Sequence, residues 1–249
     1  MTPAKGRLLA TGNVAEVLEW GDRVLKLYKS PAAKPVAFRE AAIHAAVEAR
    51  GLPVPSVWGV EPVESRWGIV FDRVSAASFA DRMRRAPDAV PAYLDRMARL
   101  HIAIHERAAV SFGSLKLRLA SRIEETRHLD KDHKQSLLAG LAGMPDGDRL
   151  CHGDFHPLNI LGNIDNPTVI DWPDACRGDP AADLCRSYVL LALHAKELAA
   201  PYLDAYCRRG GVSREAALAW LPYVAGAKLA EEVPGEIAGL RQLLDLRSA

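Results

Sequence analysis

The sequence predicts an α+β protein, with a small strand-rich N-terminal part containing one key helix and a larger, mainly α-helical C-terminal part. Short β-prone runs dominate roughly the first seventy residues, whereas apolar residues at helical spacing dominate the remainder. A chain of 249 residues is long enough for one large domain or for two smaller lobes. We therefore predict two lobes, residues 1–74 and residues 75–249.

The N-terminal strands are predicted from side-chain alternation and from a turn. Residues 17–20 and 23–28 are β-prone runs separated by a Gly-Asp pair, which is typical of a tight hairpin. In the second run, Lys26 shares one strand face with Val24. A further strand is predicted over residues 68–74. These runs predict a hairpin and one further strand.

One helix interrupts these strands, over residues 35–50. Its composition favours helix throughout, and Gly51 followed by two prolines provides a stop signal. Glu40 lies on the apolar stripe of this helix with Ile43 and Val47. A carboxylate is costly to bury without a cationic partner, so Glu40 predicts a nearby positive charge.

The C-terminal part reads as a series of helices. Pro91 begins one helix, residues 116–141 form a second helical region, and Asp179 caps a third that ends near residue 196. Two or three more helices follow, separated by glycine and proline. Residues 149–171 lack this periodicity and are predicted to form short strands and turns.

Bulk composition excludes several classes of partner. The net charge is +1, which does not favour nucleic acid or an anionic membrane surface. No apolar run reaches the length of a membrane span, and no secretory signal pattern occurs. The four cysteines form no CxxC pair, so a reducing, cytoplasmic location is predicted. We therefore expect neither a nucleic-acid partner nor a membrane; the oligomeric state is left open.

Lys26 is the first candidate for chemistry. A lysine within an apolar strand is most often an exposed surface residue. The helix with Glu40 offers an alternative, because a Lys26–Glu40 pair would fix the ammonium group for binding phosphate oxygens.

Two acidic segments provide further candidates, HGDFHPLNIL from His152 and VIDWPDA from Val169. Phosphoryl transfer to a hydroxyl needs a group that orients the acceptor and oxygen ligands for Mg²⁺, and two aspartates with an asparagine supply both. A zinc site on His152 and His156 is the competing hypothesis. The glycine and proline between and after them argue against one helix face, and no other motif completes a zinc set.

Four segments in order resemble one known family. HGDFHPLN resembles the catalytic loop of the aminoglycoside phosphotransferase-like kinases, and IDWPDA resembles their metal-binding segment. REAAIHAAVEARGLPVP is similar to their glutamate helix, and GDPAADL to the element that follows. The resemblance implies a bilobal protein-kinase-like fold, with ATP or GTP and Mg²⁺ as cofactors and a small-molecule hydroxyl as acceptor.

The resemblance also implies a role for individual residues. Asp154 would be the catalytic base, and Asn159 and Asp171 the Mg²⁺ ligands. Asp183 would brace the catalytic loop. The implied nucleotide contacts are Lys26 paired with Glu40 on the α- and β-phosphates, Gly12 and Asn13 above the phosphates, and Val24, Phe71, Asp72 and Val74 around the base.

Three departures from the family pattern qualify this assignment. The phosphate-covering turn has a single glycine, and Trp172 occupies the place of the phenylalanine of the protein-kinase DFG segment. Asp183 follows Asp171 by only twelve positions, which leaves no room for the activation segment that binds a polypeptide. We therefore expect a small-molecule acceptor in preference to a compact protein kinase.

Two questions remain open at this point. A pseudokinase that binds nucleotide without catalysis is the main alternative function, although all the expected catalytic groups are present. Antibiotics, amino alcohols, sugars and homoserine-like metabolites are all compatible acceptors. Residues 151–249 carry more acidic than basic groups, which slightly favours a cationic acceptor.

Overall fold

The computed structural model of the protein describes residues 5–245, with the side chain of residue 245 excepted. The chain packs into two units. One runs through Arg82 and adds Leu158–Pro173, and the other comprises Met83–Pro157 with the chain from Asp174 onward. The functional division at residue 74 stays a prediction; in the packing, residues 158–173 belong with the first unit.

Strands predominate in the first part of the chain, where they are interrupted by helix, and helices predominate in the second part. The strands are β1 (Leu8–Thr11), β2 (Ala15–Trp20), β3 (Arg23–Tyr28), β4 (Val57–Val63), β5 (Arg66–Asp72), β6 (Arg149–Cys151), β7 (Ile160–Gly162), β8 (Pro167–Val169) and β9 (Cys176–Gly178). The α-helices are α1 (Lys34–Glu48), α2 (Phe79–Arg85), α3 (Val90–His105), α4 (Leu115–Glu125), α5 (Lys131–Ala142), α6 (Pro180–His194), α7 (Lys196–Cys207), α8 (Arg214–Ala219), α9 (Leu221–Lys228) and α10 (Ile237–Asp245).

The first unit is built on a five-stranded antiparallel sheet in the order β1-β2-β3-β5-β4. The predicted hairpin is present: Gly21 has φ +64°, and Lys26 pairs with Val17 on β2 and with Ile69 on β5. Because β3 is the central strand, Lys26 has a paired strand on each side. The strand therefore fixes the position of the lysine backbone firmly.

Two strands of this sheet escape the sequence analysis. All four residues of β1 are exposed, so this edge strand carries no burial pattern. In β4, Gly59 and Pro62 disfavour strand by propensity, yet the strand occupies the other edge, where proline is tolerated. Edge position thus explains why local pattern did not reveal either strand.

Helix α1 packs against the sheet of the first unit and buries Ala37, Glu40 and Val47 on one side. It begins one residue before the predicted start and ends two residues before the predicted end. Gly51 has φ +69°, a left-handed conformation that glycine adopts without a Cβ penalty, as the stop signal predicts.

The second unit is mainly helical around one large apolar core. The predicted helical region at 116–141 is two helices, since Thr126 is extended after α4 and Asp130 begins α5. The Asp130 carboxylate accepts a hydrogen bond from the His133 amide at 2.9 Å, which is an N-cap. Within residues 5–245, no helix combines the length and apolarity needed to cross a membrane.

Candidate active site

The predicted lysine–glutamate pair is present in the first unit. Lys26 Nζ lies 2.7 Å from Glu40 Oε1 on α1, and Glu40 is 5% exposed. Lys26 Nζ also lies 2.8 Å from Asp171 Oδ1. Burial favours the neutral amine, but the two carboxylates outweigh it and raise the pKa of Lys26. The side chain is therefore a cation at neutral pH, and the two carboxylates hold its ammonium group in one position, unlike that of an exposed surface lysine.

Asp171 follows the β7–β8 hairpin and has φ +65°, a left-handed conformation that is uncommon for residues other than glycine. The Ile170 amide donates to the Asn159 carbonyl at 2.9 Å, which ties the two predicted Mg²⁺ ligands to one short segment. Asn159 is buried and Asp171 is half-buried. The donor set, a carboxylate and an amide oxygen, fits a hard cation such as Mg²⁺.

Tyr28 holds the buried glutamate from its other side. Its hydroxyl donates a hydrogen bond to Glu40 Oε2. Burial, together with the negative charge of Glu40, raises the pKa of Tyr28, so the phenol stays protonated and remains a donor. This contact is not evident from the sequence, where the one available signal is that Tyr28 shares the strand face of Lys26.

A cavity of about 510 Å³ opens beside this charged cluster in the first unit. Its volume lies within the range of small-molecule sites. Of the predicted nucleotide contacts, six side chains or their backbone line it: Val24, Lys26, Glu40, Phe71, Asp72 and Val74. Gly12 and Asn13 lie in the exposed β1–β2 turn, and β1 lines the cavity through Leu9 and Ala10 instead.

The connector after β5 carries the predicted contacts to the base. The Asp72 amide already donates to the Ser56 carbonyl at 3.0 Å, and its carboxylate accepts from the Trp58 indole at 2.6 Å. The Trp58 hydrogen bond lowers the pKa of Asp72. The Val74 amide has no such partner among the described residues, which makes Val74 the better candidate for binding a base through its N–H.

Asp154 lies in the second unit, in the loop after β6. Its carboxylate lies 3.3 Å from His156 Nε2 and 3.8 Å from Arg186 Nη2. Burial raises its pKa, but the His156 hydrogen bond and the Arg186 charge outweigh burial and lower the pKa of Asp154. Asp154 is therefore an ionised carboxylate at neutral pH, able to accept a hydroxyl proton.

Backbone contacts hold the loop that carries Asp154. Asp183 accepts hydrogen bonds from the amides of His152 at 2.6 Å and Gly153 at 2.8 Å. Arg186 Nε donates to the Gly153 carbonyl at 3.2 Å. Gly153 has φ +82°, and a Cβ there would lie 2.5 Å from the Asp174 carbonyl oxygen. Helix α6 therefore sets the loop through Asp183 and Arg186, and only glycine fits at 153.

Two buried histidines complete the shell around Asp183. His101 Nε2 and His105 Nε2 lie 3.0 and 3.2 Å from its Oδ2. Their Nδ1 atoms lie 2.8 and 2.7 Å from the hydroxyls of Tyr202 and Tyr206. A carboxylate only accepts, so both Nε2 atoms carry the proton and both Nδ1 atoms accept from tyrosine. These atoms could also surround a cation, but each already has a hydrogen-bond partner.

This histidine cluster predicts loss of stability in mild acid. Burial and the neighbouring His105 lower the pKa of His101 to about 3, despite Asp183. An unfolded histidine titrates near 6.5, so the unfolded chain binds the extra proton as pH falls from there. The free energy of unfolding should therefore drop below pH 6.5 by up to about 1.4 kcal/mol per pH unit.

Urea unfolding at pH 7.5, 6.0 and 5.0 measures this slope. His101→Gln should flatten it, although the variant is less stable at every pH, whereas His133→Gln, at an exposed position, should leave it unchanged. Equal slopes in wild type and His101→Gln would contradict the prediction. Asp183 contributes little to the slope in this window: its pKa is lowered in the folded protein, so the stability it adds is lost mainly as pH falls below the unfolded value of about 3.9.

Several site residues other than Tyr28 also escape the sequence analysis. His44 lies 2.6 Å from the Pro55 carbonyl and lines the first cavity, where its ring meets Phe71 edge-on at 4.8 Å. Arg186 contacts the loop that carries Asp154 only because α6 brings it there. The i, i+7 spacing from Asp179 to Arg186 does not by itself indicate such a contact.

A lysine held between two carboxylates beside a cavity of about 510 Å³, on an α+β fold, is the arrangement expected of a kinase-type phosphotransferase. The sequence model of the Phosphotransferase enzyme family (APH) matches residues 11–222. The chain belongs to this family, as the resemblance predicted. It is accordingly a small-molecule kinase that acts on hydroxyl groups. A search of curated proteins found no match.

Solved structures confirm the predicted protein-kinase-like fold class. Aminoglycoside phosphotransferase APH(4)-Ia, in a complex with ADP and hygromycin B, is 18% identical with a TM-score of 0.74, over 98% of this chain and 93% of that chain. An aminoglycoside-3'-phosphotransferase of type VIII is 24% identical, with a TM-score of 0.61 over 93% and 94%. A choline/ethanolamine kinase family protein from Mesorhizobium loti is 19% identical, with a TM-score of 0.62 over 98% and 89%.

Proposed function

We propose that the protein transfers the γ-phosphoryl group of ATP to a hydroxyl of a small molecule. The observation that carries the proposal is the Lys26 ammonium, fixed by Glu40 and Asp171 on the wall of the 510 Å³ cavity. An oriented cation beside a largely apolar cavity suits the phosphates and the base of a nucleotide. Similar solved structures hold ADP with hygromycin B and ATP with streptomycin.

In the proposed mechanism, Asp154 orients the acceptor hydroxyl and takes its proton as the acceptor oxygen bonds to the γ-phosphorus of ATP and the bond from that phosphorus to the leaving ADP breaks. The lowered pKa of Asp154 keeps it ionised for this role. Asn159 and Asp171 would hold Mg²⁺, which neutralises phosphate charge when bound. Lys26 binds the α- and β-phosphates and Glu40 keeps its ammonium in place.

The finer assignments stay proposals. Val24 and Phe71 would contact the base, and Val74 would donate to it, with Asp72 contributing its carbonyl. Gly12 and Asn13 would cover the phosphates from the β1–β2 turn. GTP in place of ATP and the cytoplasmic location also stay predictions.

Thermal unfolding with nucleotide tests the proposal. ATP with Mg²⁺ should raise the Tm by several degrees, because a ligand that binds only the folded state stabilises it by mass action. ATP without Mg²⁺ should raise it less, and GTP in the same titration reports nucleotide choice. Lys26→Met should remove most of the shift, whereas Lys131→Met, an exposed lysine of α5, should retain it.

A phosphotransfer screen completes the test. Purified protein with Mg²⁺ and ATP is incubated with a panel of hydroxyl compounds, and phosphorylated products are detected by mass. We expect transfer to at least one compound. A Mg²⁺-dependent Tm shift with no transfer to any compound would favour the pseudokinase, and no shift with either nucleotide would contradict the nucleotide site itself.

A further inference from the structure

The second unit contains its own cavity, of about 280 Å³, with Asp154 on its wall. Helices α4, α6 and α9 contribute most of the remaining lining. Because the proposed base lies on it, this cavity is the natural place for the acceptor. We infer that the acceptor carries an anionic group, such as a carboxylate, and not the several ammonium groups of an aminoglycoside. The inference rests on the proposed function.

The acidic groups of this cavity already have partners. Glu231 Oε1 lies 2.7 Å from Arg186 Nη2, and its Oε2 lies 2.7 Å from Lys228 Nζ. Asp174 Oδ1 lies 3.3 Å from Arg118 Nη1. Asp183 is fully enclosed by four N–H donors. A polycationic ligand would have to break one of these pairs for each ammonium group it buries. The paired carboxylates would therefore contribute little to the binding of such a ligand.

Two basic groups of the cavity, both on α4, keep donors available, whereas Arg186 and Lys228 are already paired with acidic groups. Arg122 lies one helical turn after Arg118 on α4, so both reach the same wall. Among residues 5–245, no hydrogen bond or ion pair satisfies the Arg122 guanidinium. This cation is therefore free to meet an anion from solution.

Arg118 is oriented but not saturated. Its Nη1 donates to the Asp174 carbonyl at 2.6 Å, and its Nη2 lies 3.3 Å from Cys176 Sγ. Its Nε–H and one Nη2 N–H have no acceptor among the described residues. Two guanidinium groups one turn apart, one of them held in position, match the oxygens of a carboxylate.

The shape of the cavity points to a small acceptor. A volume of about 280 Å³ lies at the lower end of the range for small-molecule sites. Leu115, Leu119 and Val224 form apolar wall between the charged groups. Residues 151–249 carry an acidic excess, which slightly favoured a cationic acceptor. The acidic side chains among them that line this cavity already have partners, so the excess does not favour a cation here. A hydroxy acid of a few carbons fits both the charge and the volume.

Probes matched in carbon skeleton test the charge preference. Glycerate, glycerol and 3-amino-1,2-propanediol form one set, gluconate, sorbitol and glucosamine a second, and hygromycin B represents aminoglycosides. With Mg²⁺ and ATP, we expect kcat/KM for the carboxylate member of at least one set to exceed its neutral and amino partners by about tenfold or more, the size of a charge-assisted contact.

Arg122→Gln should cut kcat/KM for the carboxylate probe by about tenfold through KM and leave the neutral partner unchanged. Arg85→Gln, an exposed arginine of α2 outside the cavity, is the matched control and should behave as wild type. Binding of the carboxylate probe, read as a Tm shift with Mg²⁺ and AMP-PNP, should weaken in the Arg122 variant in the same way.

The outcomes separate the inference from the proposed function. Preferred transfer to hygromycin B, or to the amino or neutral members, would overturn the inference and leave the phosphotransfer proposal standing. A carboxylate preference that survives Arg122→Gln would also overturn it, since the preference would then arise elsewhere. No transfer to any probe would count against both.

Discussion

Asp154→Asn is expected to lower kcat for phosphotransfer by about 10²–10⁴-fold, the usual contribution of a positioned general base. Asparagine keeps the shape of the side chain and can still accept from His156 and Arg186, but it cannot take the hydroxyl proton. Binding of Mg²⁺ and ATP, measured as a Tm shift, should be unchanged, because the cavity proposed for the nucleotide lies in the first unit.

Asp165→Asn is a suitable control for this measurement. Asp165 is an exposed aspartate in the β7–β8 turn, and its replacement should alter neither kcat nor the Tm shift. If the Asp154 variant kept kcat within about threefold of wild type, Asp154 would not be the base. Loss of nucleotide binding together with kcat would indicate a structural defect, which circular dichroism would report.

Asp171→Asn is expected to remove both the Mg²⁺-dependent Tm shift and turnover. The substitution removes a charged oxygen ligand and one of the two carboxylates that hold Lys26. Asparagine tolerates the φ of +65° at this position, whereas alanine would add backbone strain and confuse the result. We expect kcat/KM to fall by at least about 10²-fold. The midpoint of urea unfolding should stay near that of wild type, which would show that the variant is folded.

Two comparisons sharpen this second experiment. Glu40→Gln also removes one partner of Lys26 but no predicted Mg²⁺ ligand, so it should weaken nucleotide binding while keeping the Mg²⁺ dependence of the Tm shift. An Asp171 variant whose shift still requires Mg²⁺ at wild-type concentration would show that the metal is held by other residues.

The sequence alone predicted much of the charged cluster in the first unit. Glu40 on an apolar helix stripe demanded a cation, and Lys26 on a neighbouring strand was the natural partner; the structure joins them at 2.7 Å. That prediction succeeded because a buried carboxylate without a cationic partner is costly. A glutamate on the apolar stripe of a helix therefore indicates, from the local sequence alone, that a cation lies nearby. The third member, Asp171, could be linked only through the family resemblance, since it follows Lys26 by 145 residues.

Contacts that depend on tertiary placement were not predictable in this way. Tyr28, His44 and Arg186 carry no motif, and each acquires its role only when another element is packed against it. The edge strands β1 and β4 were missed because an edge imposes little hydrophobic pattern. In the second unit, the pairing state of each carboxylate decides what the cavity can bind, and the charge count of residues 151–249 contained no information about pairing.

The four N–H groups around Asp183 have a consequence for how this protein can change over evolutionary time. Two come from the loop that carries Asp154 and two from His101 and His105 on α3, so one set of hydrogen bonds links the aspartate, the loop and both histidines. A drift to an apolar residue at either histidine would leave a buried charge short of a donor, and a tyrosine hydroxyl without its acceptor. We expect substitutions at 101, 105, 202 and 206 to arise together, in combinations that keep these hydrogen bonds satisfied. The exposed residues of α3 should vary independently of them.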